Sequence, residues 1–162
     1  GVNNAVAIGH SMGTQVATEV AVRHPHLVAR LVLVAPTVDA AGRKAFKQLG
    51  RLALDLVAES PKVLLLGTRE YLRAGPHLRR KMRAMLIHRP EEAYPKVTVP
   101  TLVIRGGSDR VCPHDWCKSV ARAIPNARLV EIDGHRHETM IHNGEPAAQL
   151  IIDDLANRLN RG

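Results

Sequence analysis

Phenyl, phenol and indole rings are scarce: Phe46, Tyr71, Tyr94 and Trp116 are the only ones in 162 residues. Single-stranded nucleic acid is held on stacked rings, and so few cannot build such a platform. Cysteines are just as few. Cys112 and Cys117 are the only pair, which excludes a small scaffold stapled by several disulfides. Long apolar runs are missing too. Residues 31–35 form one of the longest, far short of what crosses a bilayer. Gly1 stands first, no basic and apolar segment follows it, and the chain opens in what reads as mid-domain.

What is present is ordinary globular material. Apolar residues make up 45% and charged residues 23%, enough to bury a core and to exclude disorder. The length suits one domain or part of a larger one. Net charge is +8, and the excess is local. Residues 43–89 hold 12 Lys or Arg against 3 acids, Asp55, Glu59 and Glu70. Within that segment Leu78, Met82, Met85 and Leu86 fall at helical spacing. Arg79, Arg80, Lys81 and Arg83 lie between them, mostly off the stripe. This pattern reads as the solvated outer face of a helix. The sharper alternative is a patch that attracts acidic substrates or partners. Nucleic acid is not expected, because interleaved rings, a glycine-rich phosphate loop and a zinc pattern are all lacking.

Four short apolar runs punctuate the chain, at residues 5–8, 31–35, 102–104 and 129–132. None alternates cleanly with polar residues, which suits strands buried on both faces of a parallel sheet. Helical patterns separate them. Residues 12–23 run up to His24-Pro25, where proline discourages further helix. Trp116, Cys117, Val120, Ala121 and Ile124 form a stripe behind Pro113. Ala147, Ile151, Leu155 and Leu159 form another, with Asn143 as the expected N-cap. Alternating strand and helix predicts an α/β fold, a mostly parallel sheet with flanking helices. The 37–98 segment is too long for a crossover. Phe46, Leu49, Ala53 and Leu56 make one helical stripe in it, and residues 76–88 another. It reads as a helical cap inserted between a core of residues 1–36 and a core of residues 99–162.

The strongest chemical signal is Gly9-His10-Ser11-Met12-Gly13. It follows the first strand at once and opens a helix at once. In that context G-x-S-x-G describes a sharp turn that thrusts a serine outward. A serine hydroxyl is a weak nucleophile at neutral pH. It needs a histidine to take its proton and a carboxylate to orient that histidine. Asp109 stands just past the third strand, in Gly106-Gly107-Ser108-Asp109. His135 stands just past the fourth, in Asp133-Gly134-His135. All three follow the carboxyl ends of parallel strands, where ligands bind in open α/β sheets. Asp133 and Asp115 are reserve acids, and His137 competes with His135 for the base.

GHSMG, VPTLVIRGGSDRVCP and ARLVEIDGHRHE resemble three signature segments of the α/β-hydrolase superfamily. The resemblance runs over nearly the whole chain, with 37–98 matching only as a variable cap. It implies a partial α/β-hydrolase fold with Ser11 as nucleophile, Asp109 as acid and His135, of the Gly-His pair, as base. It implies that the backbone N–H of Met12 is one oxyanion donor. Dehalogenases and epoxide hydrolases of that fold carry aspartate at the position of Ser11, so the resemblance excludes them. The strands before the elbow, and the loop giving a second oxyanion N–H, would precede residue 1. Residues 1–162 alone are therefore expected to be nearly inactive and prone to associate through an open strand edge.

The expected reaction is hydrolysis of an ester, thioester or similar acyl bond in a small-molecule substrate, with no cofactor and no metal. Haloperoxidases without cofactor, carbon–carbon bond hydrolases, acyltransferases and non-catalytic binding members share the same signature. His10 reads as packing in the elbow, and His24 and His26 as surface residues. Cys112, His114 and Cys117 do not make a usual zinc spacing, and Cys117 lies on an apolar stripe as a buried thiol. Free thiols suit a reducing compartment, so a cytoplasmic place is expected.

Overall fold

A computed structural model of the chain describes residues 3–37, 39, 77–137, 139–140 and 143–159. Among the described residues four strands form one parallel sheet: β1 (Ala5–His10), β2 (Val28–Val34), β3 (Thr101–Gly106) and β4 (Ala127–Ile132), in spatial order 1-2-3-4. Around it lie α1 (Gly13–Arg23), α2 (His77–Ile87), the short α3 (Pro90–Ala93), α4 (His114–Ala123) and α5 (Glu145–Leu159). The stripe of Phe46, Leu49, Ala53 and Leu56 lies outside the described residues. Among the described residues no helix is long and apolar enough to cross a membrane.

Side chains alternate across a strand, and here the alternation divides two cores. From β2 and the residue after it, Leu31, Leu33 and Ala35 turn to one face; Val32 and Val34 turn to the other. The first face packs on Ala17 and Ala21 of α1 and on Trp116, Cys117 and Val120 of α4. The second packs on Ala147 and Ile151 of α5. Both inner strands are therefore buried on both sides, as their unbroken apolar runs predict. Each fully buried Leu or Val contributes about 1.5–3 kcal/mol relative to exposure.

The outer strands depart from that expectation. Strand β1 pairs only with β2 among the described residues, and Val6 and Ile8 are exposed. At α5 the carbonyl of Gly144 accepts the first intrahelical bond, from Ala148 N–H at 2.9 Å. Asn143 sits one residue earlier with φ 59°, so Gly144 takes the capping place expected of Asn143.

Register decides where the loops emerge. His10 is level with Val34, Val34 with Ile104, and Gly106 with Ile132. Bonds continue the ladder past the strand ends, from Ser11 N–H to Val34 O at 2.9 Å and from Gly107 N–H to Ile132 O at 2.8 Å. The loops after β1, β3 and β4 thus leave from one edge of the sheet.

At the other end, an ion cluster built on the buried Arg30–Asp154 pair ties the sheet to α5. Arg30 of β2 donates to the Asp154 carbonyl at 2.7 Å and to its Oδ2 at 2.6 Å. Arg128 of β4 donates to Asp154 Oδ1 at 2.9 Å. Removing one partner of a buried pair strands the other without water. Asp154→Ala should therefore cost about 3–5 kcal/mol, read as a lowered denaturation midpoint of the intact protein. Asp154→Asn, which keeps an acceptor for Arg30, should cost less. Equal stability of Asp154→Ala and the parent would refute the role given to this cluster.

Candidate functional site

Ser11 follows β1 directly and has φ 52°. A left-handed backbone costs a residue with a side chain about 1–3 kcal/mol, and such strain belongs to a strand that must turn at once into a helix. The turn also needs Gly9. A Cβ there would lie 2.5 Å from Gly13 O and 2.7 Å from Thr14 Cα, inside the backbone of α1. Ser11 is thereby lifted off the edge of the sheet, at the N-terminus of α1, where backbone N–H groups lack intrahelical partners.

Asp109 is brought there by the loop after β3. Its Oδ1 accepts the backbone N–H groups of Val111 and Cys112, both at 2.8 Å. The Arg105 guanidinium lies beneath, donating to Asp109 O at 3.0 Å and to Cys112 O at 3.1 Å. Arg105 is itself held by Glu131 at 2.6 Å. Burial works against the Glu131 carboxylate, but bonds from His114 and Arg105 hold it below its usual range. One oxygen of Asp109 is thus fixed by the backbone, leaving Oδ2 to face the site.

The histidine that meets Oδ2 is His137. Its Nδ1 lies 3.0 Å from Asp109 Oδ2, and its Nε2 lies 2.9 Å from Ser11 Oγ. An ionised carboxylate only accepts, so Nδ1 carries the ring proton. In the neutral ring Nε2 is then an acceptor, aimed at the serine hydroxyl. The His137 carbonyl is held in turn by His10 Nε2 at 2.8 Å, so His10 orients the loop that carries the imidazole.

His135 is not in this line, contrary to the sequence expectation. Its Nδ1 faces Asp133 O at 3.1 Å and its Nε2 faces Asn143 O at 3.3 Å. The reason lies in the backbone. His135 N–H closes the turn onto Ile132 O at 3.3 Å, and His135 O accepts Ser108 N–H at 2.9 Å. Position 135 is spent on joining the histidine loop to the acid loop. The sheet order explains why two more residues are needed. Three strand spacings, about 14 Å, separate β1 from β4, so the ring must come from farther out along the loop. Motif order carries no such distance, which is why the Gly-His pair pointed to the nearer histidine.

The reserve acids lie elsewhere: Asp115 is exposed in the first turn of α4, and Asp133 is exposed after β4. Cys112 is fully buried and donates to Pro36 O at 3.1 Å. Its sulfur is also 3.9 Å from His137 Nδ1. Burial first, then the Cys117 thiol and the Asp109 carboxylate, push the Cys112 thiol well above its ordinary pKa. Nothing in the sequence pattern had put this thiol beside the imidazole.

A cleft of about 420 Å³ opens beside Met12, between α1 and α2. Met12, Val16, Ala84 and Met85 give it an apolar lining. Gln15 donates to Met85 O at 3.0 Å, and Glu19 meets His88 at 2.9 Å. Those two bonds hold α2 and the residue after it against α1. Bonds from His88 and then Arg23 keep the Glu19 carboxylate below its usual range.

Residues 1–151 match the model of a family described as the alpha/beta hydrolase family. A protein of Stutzerimonas stutzeri (strain A1501), named "Putative carbamate hydrolase RutD", is 26% identical over 181 residues, covering 98% of this chain and 68% of that protein. A protein of Mycobacterium phage D29, named "Putative non-heme haloperoxidase", is 31% identical over 179 residues, covering 93% of this chain and 63% of its own. Among solved structures, the serine hydrolase CarC, involved in carbazole degradation, is similar with a TM-score of 0.73 at 23% identity, over 95% of this chain and 64% of that one. At that identity the likeness speaks for the fold alone. The chain spans 63% to 68% of the lengths of these three proteins.

Gly106 is where the geometry of the site is most vulnerable. A Cβ there would run into the carbonyl oxygens of His135 and Arg136, forcing the acid and histidine loops apart. A displacement of about 1 Å at a reacting group can cost about 10²-fold. Gly106→Ala should slow organophosphate reaction at Ser11 by about that factor. An unchanged rate in a folded Gly106→Ala protein would show that the two loops need not touch.

Proposed function

This chain belongs to the alpha/beta hydrolase family, and on that premise we propose that it carries the catalytic residues of a serine hydrolase acting on a small acyl substrate. The observation behind this reading is the unbroken line from Ser11 Oγ through His137 to Asp109 Oδ2, with bonds of 2.9 and 3.0 Å. Ser11 attacks the carbonyl carbon of an ester, thioester or similar acyl bond while His137 Nε2 takes its proton. Asp109 stabilises the imidazolium and keeps the ring aligned. The Met12 N–H, at the positive end of α1, donates to the oxyanion as charge develops there. His137 returns its proton to the leaving group. It then activates the water that releases the acyl group from Ser11.

A carbamate, the substrate class in the name of one relative, is attacked at a carbonyl in the same way and falls within this reading. The haloperoxidase name of the other marks an alternative that would use the same serine. A purely binding role is disfavoured, since a binding site gains nothing from a serine held in strained backbone against a base. The apolar cleft beside Met12 supports an acyl or leaving group with an aliphatic part. Residues 37–98, read as a cap, would set that preference through α2 and its Met85.

A fluorophosphonate should label the intact protein at Ser11, and Ser11→Ala should remove the label. Labelling that survives Ser11→Ala would overturn the assignment of the nucleophile.

The two histidines separate cleanly. His137→Ala should lower kcat/KM on an activated ester by about 10³-fold or more, while His135→Ala should leave it within a small factor. The reverse pattern would return the base to His135.

A further inference from the structure

We propose that Asp109, Cys112 and His137 form an inhibitory binding site for a soft divalent cation, Zn²⁺ or Cd²⁺. A carboxylate oxygen, the Cys112 sulfur and a ring nitrogen of His137 all lie within 4.8 Å of one another. The individual distances identify the atoms. His137 Nδ1 is 3.0 Å from Asp109 Oδ2 and 3.9 Å from Cys112 Sγ. Ligands at 2.0–2.3 Å from a tetrahedral zinc stand about 3.3–3.8 Å apart. The nitrogen–oxygen and nitrogen–sulfur spacings therefore change by only a few tenths of an ångström, while the oxygen–sulfur spacing lies within 4.8 Å and closes onto the ion. Three protein ligands also leave the fourth position open, as in many zinc centres.

The set is held from outside, which metal sites require of their ligands. Asp109 Oδ1 is fixed by two backbone N–H groups at 2.8 Å. Arg105 holds the Cys112 carbonyl at 3.1 Å, and His10 holds the His137 carbonyl at 2.8 Å. This is not the Cys112, His114, Cys117 grouping, whose spacing is not a usual zinc pattern. His114 is engaged with Glu131, and Cys117 turns its sulfur toward Cys112 O at 3.8 Å.

Binding has a defined proton balance. The Cys112 S–H bond breaks, the proton goes to solvent, and a sulfur–metal bond forms. Nδ1 must give up its proton to coordinate. That proton is taken up at Nε2, so the ring stays neutral. Nε2 then faces Ser11 Oγ as a donor and can no longer accept the serine proton. Inhibition rests on the proposed role of Ser11 and His137, whereas cation binding does not. Sulfur and nitrogen favour Zn²⁺ and Cd²⁺, while Mg²⁺ and Ca²⁺ prefer oxygen ligands and their own water.

Cd²⁺ alone, titrated into the intact protein, should give the ultraviolet charge-transfer absorption of a cadmium–thiolate bond with one ion per chain. Fluorophosphonate labelling of Ser11 should fall with the same midpoint and return on adding EDTA. The absorption should vanish in Cys112→Ser and Cys112→Ala and persist in Cys117→Ser. His137→Ala and Asp109→Asn should each weaken Cd²⁺ at least about tenfold, a readout needing no activity. Mg²⁺ should do nothing. Absorption that survives loss of Cys112, or an affinity untouched by His137→Ala, would overturn the site. So would a protein that gives no cadmium–thiolate signal at all. Cd²⁺ binding as expected without loss of labelling would leave the site standing and overturn its inhibitory effect.

Discussion

The loop after β3 and the loop after β4 touch backbone to backbone at Gly106, and the alignment of the site rests on that contact. Ser108 N–H reaches His135 O at 2.9 Å, and Gly107 N–H reaches Ile132 O at 2.8 Å. Those bonds extend the β3–β4 ladder into irregular chain. They fix how far the histidine loop stands from Asp109, and hence whether an imidazole can meet Asp109 and Ser11 together. Parallel register supplies the rest. With all four strands running the same way, serine, acid and histidine leave from one edge without any long connection being needed to gather them.

Much of this arrangement was legible in the residues. The strand-then-helix context of Ser11, and Asp109 just past an apolar run, pointed to positions that do converge. Both signals are local, since each depends on turn chemistry beside a strand end. The histidine between them was less legible because its position is a distance problem across the sheet. His135 and His137 differ by two residues, and only the 1-2-3-4 strand order tells which one reaches. The exposure of Val6 and Ile8 likewise depends on which strands pair, which apolar runs do not encode.

Buried charge was the least legible feature. Arg30 and Arg105 sit in runs of Leu, Val and Ile, where a side chain of that kind looks out of place. Each meets a carboxylate and backbone carbonyl oxygens instead, and acceptors of that kind are what burying a guanidinium requires. Arg105 fixes the acid loop, and Arg30 fixes α5 at the far end of the sheet. Neither touches the serine. They bear on it by removing freedom from the elements that carry Asp109 and close the second core, and preorganised sites need that rigidity in their support.

The thiol of Cys112 carries the same argument to the imidazole itself. A ring between Asp109 and Ser11 has one nitrogen for each, and rotation about its bond to the chain must be restrained for both contacts to hold. Cys112 fills the flank of Nδ1 with a buried sulfur whose own proton goes to Pro36 O, as does the Trp116 Nε1–H at 2.8 Å. A neutral thiol there neither competes strongly for the ring proton nor lets water in to do so. The same packing leaves a carboxylate, an imidazole nitrogen and a sulfur around one point. A site packed this closely thus becomes, by the same closeness, a set of donors that a soft cation could bridge.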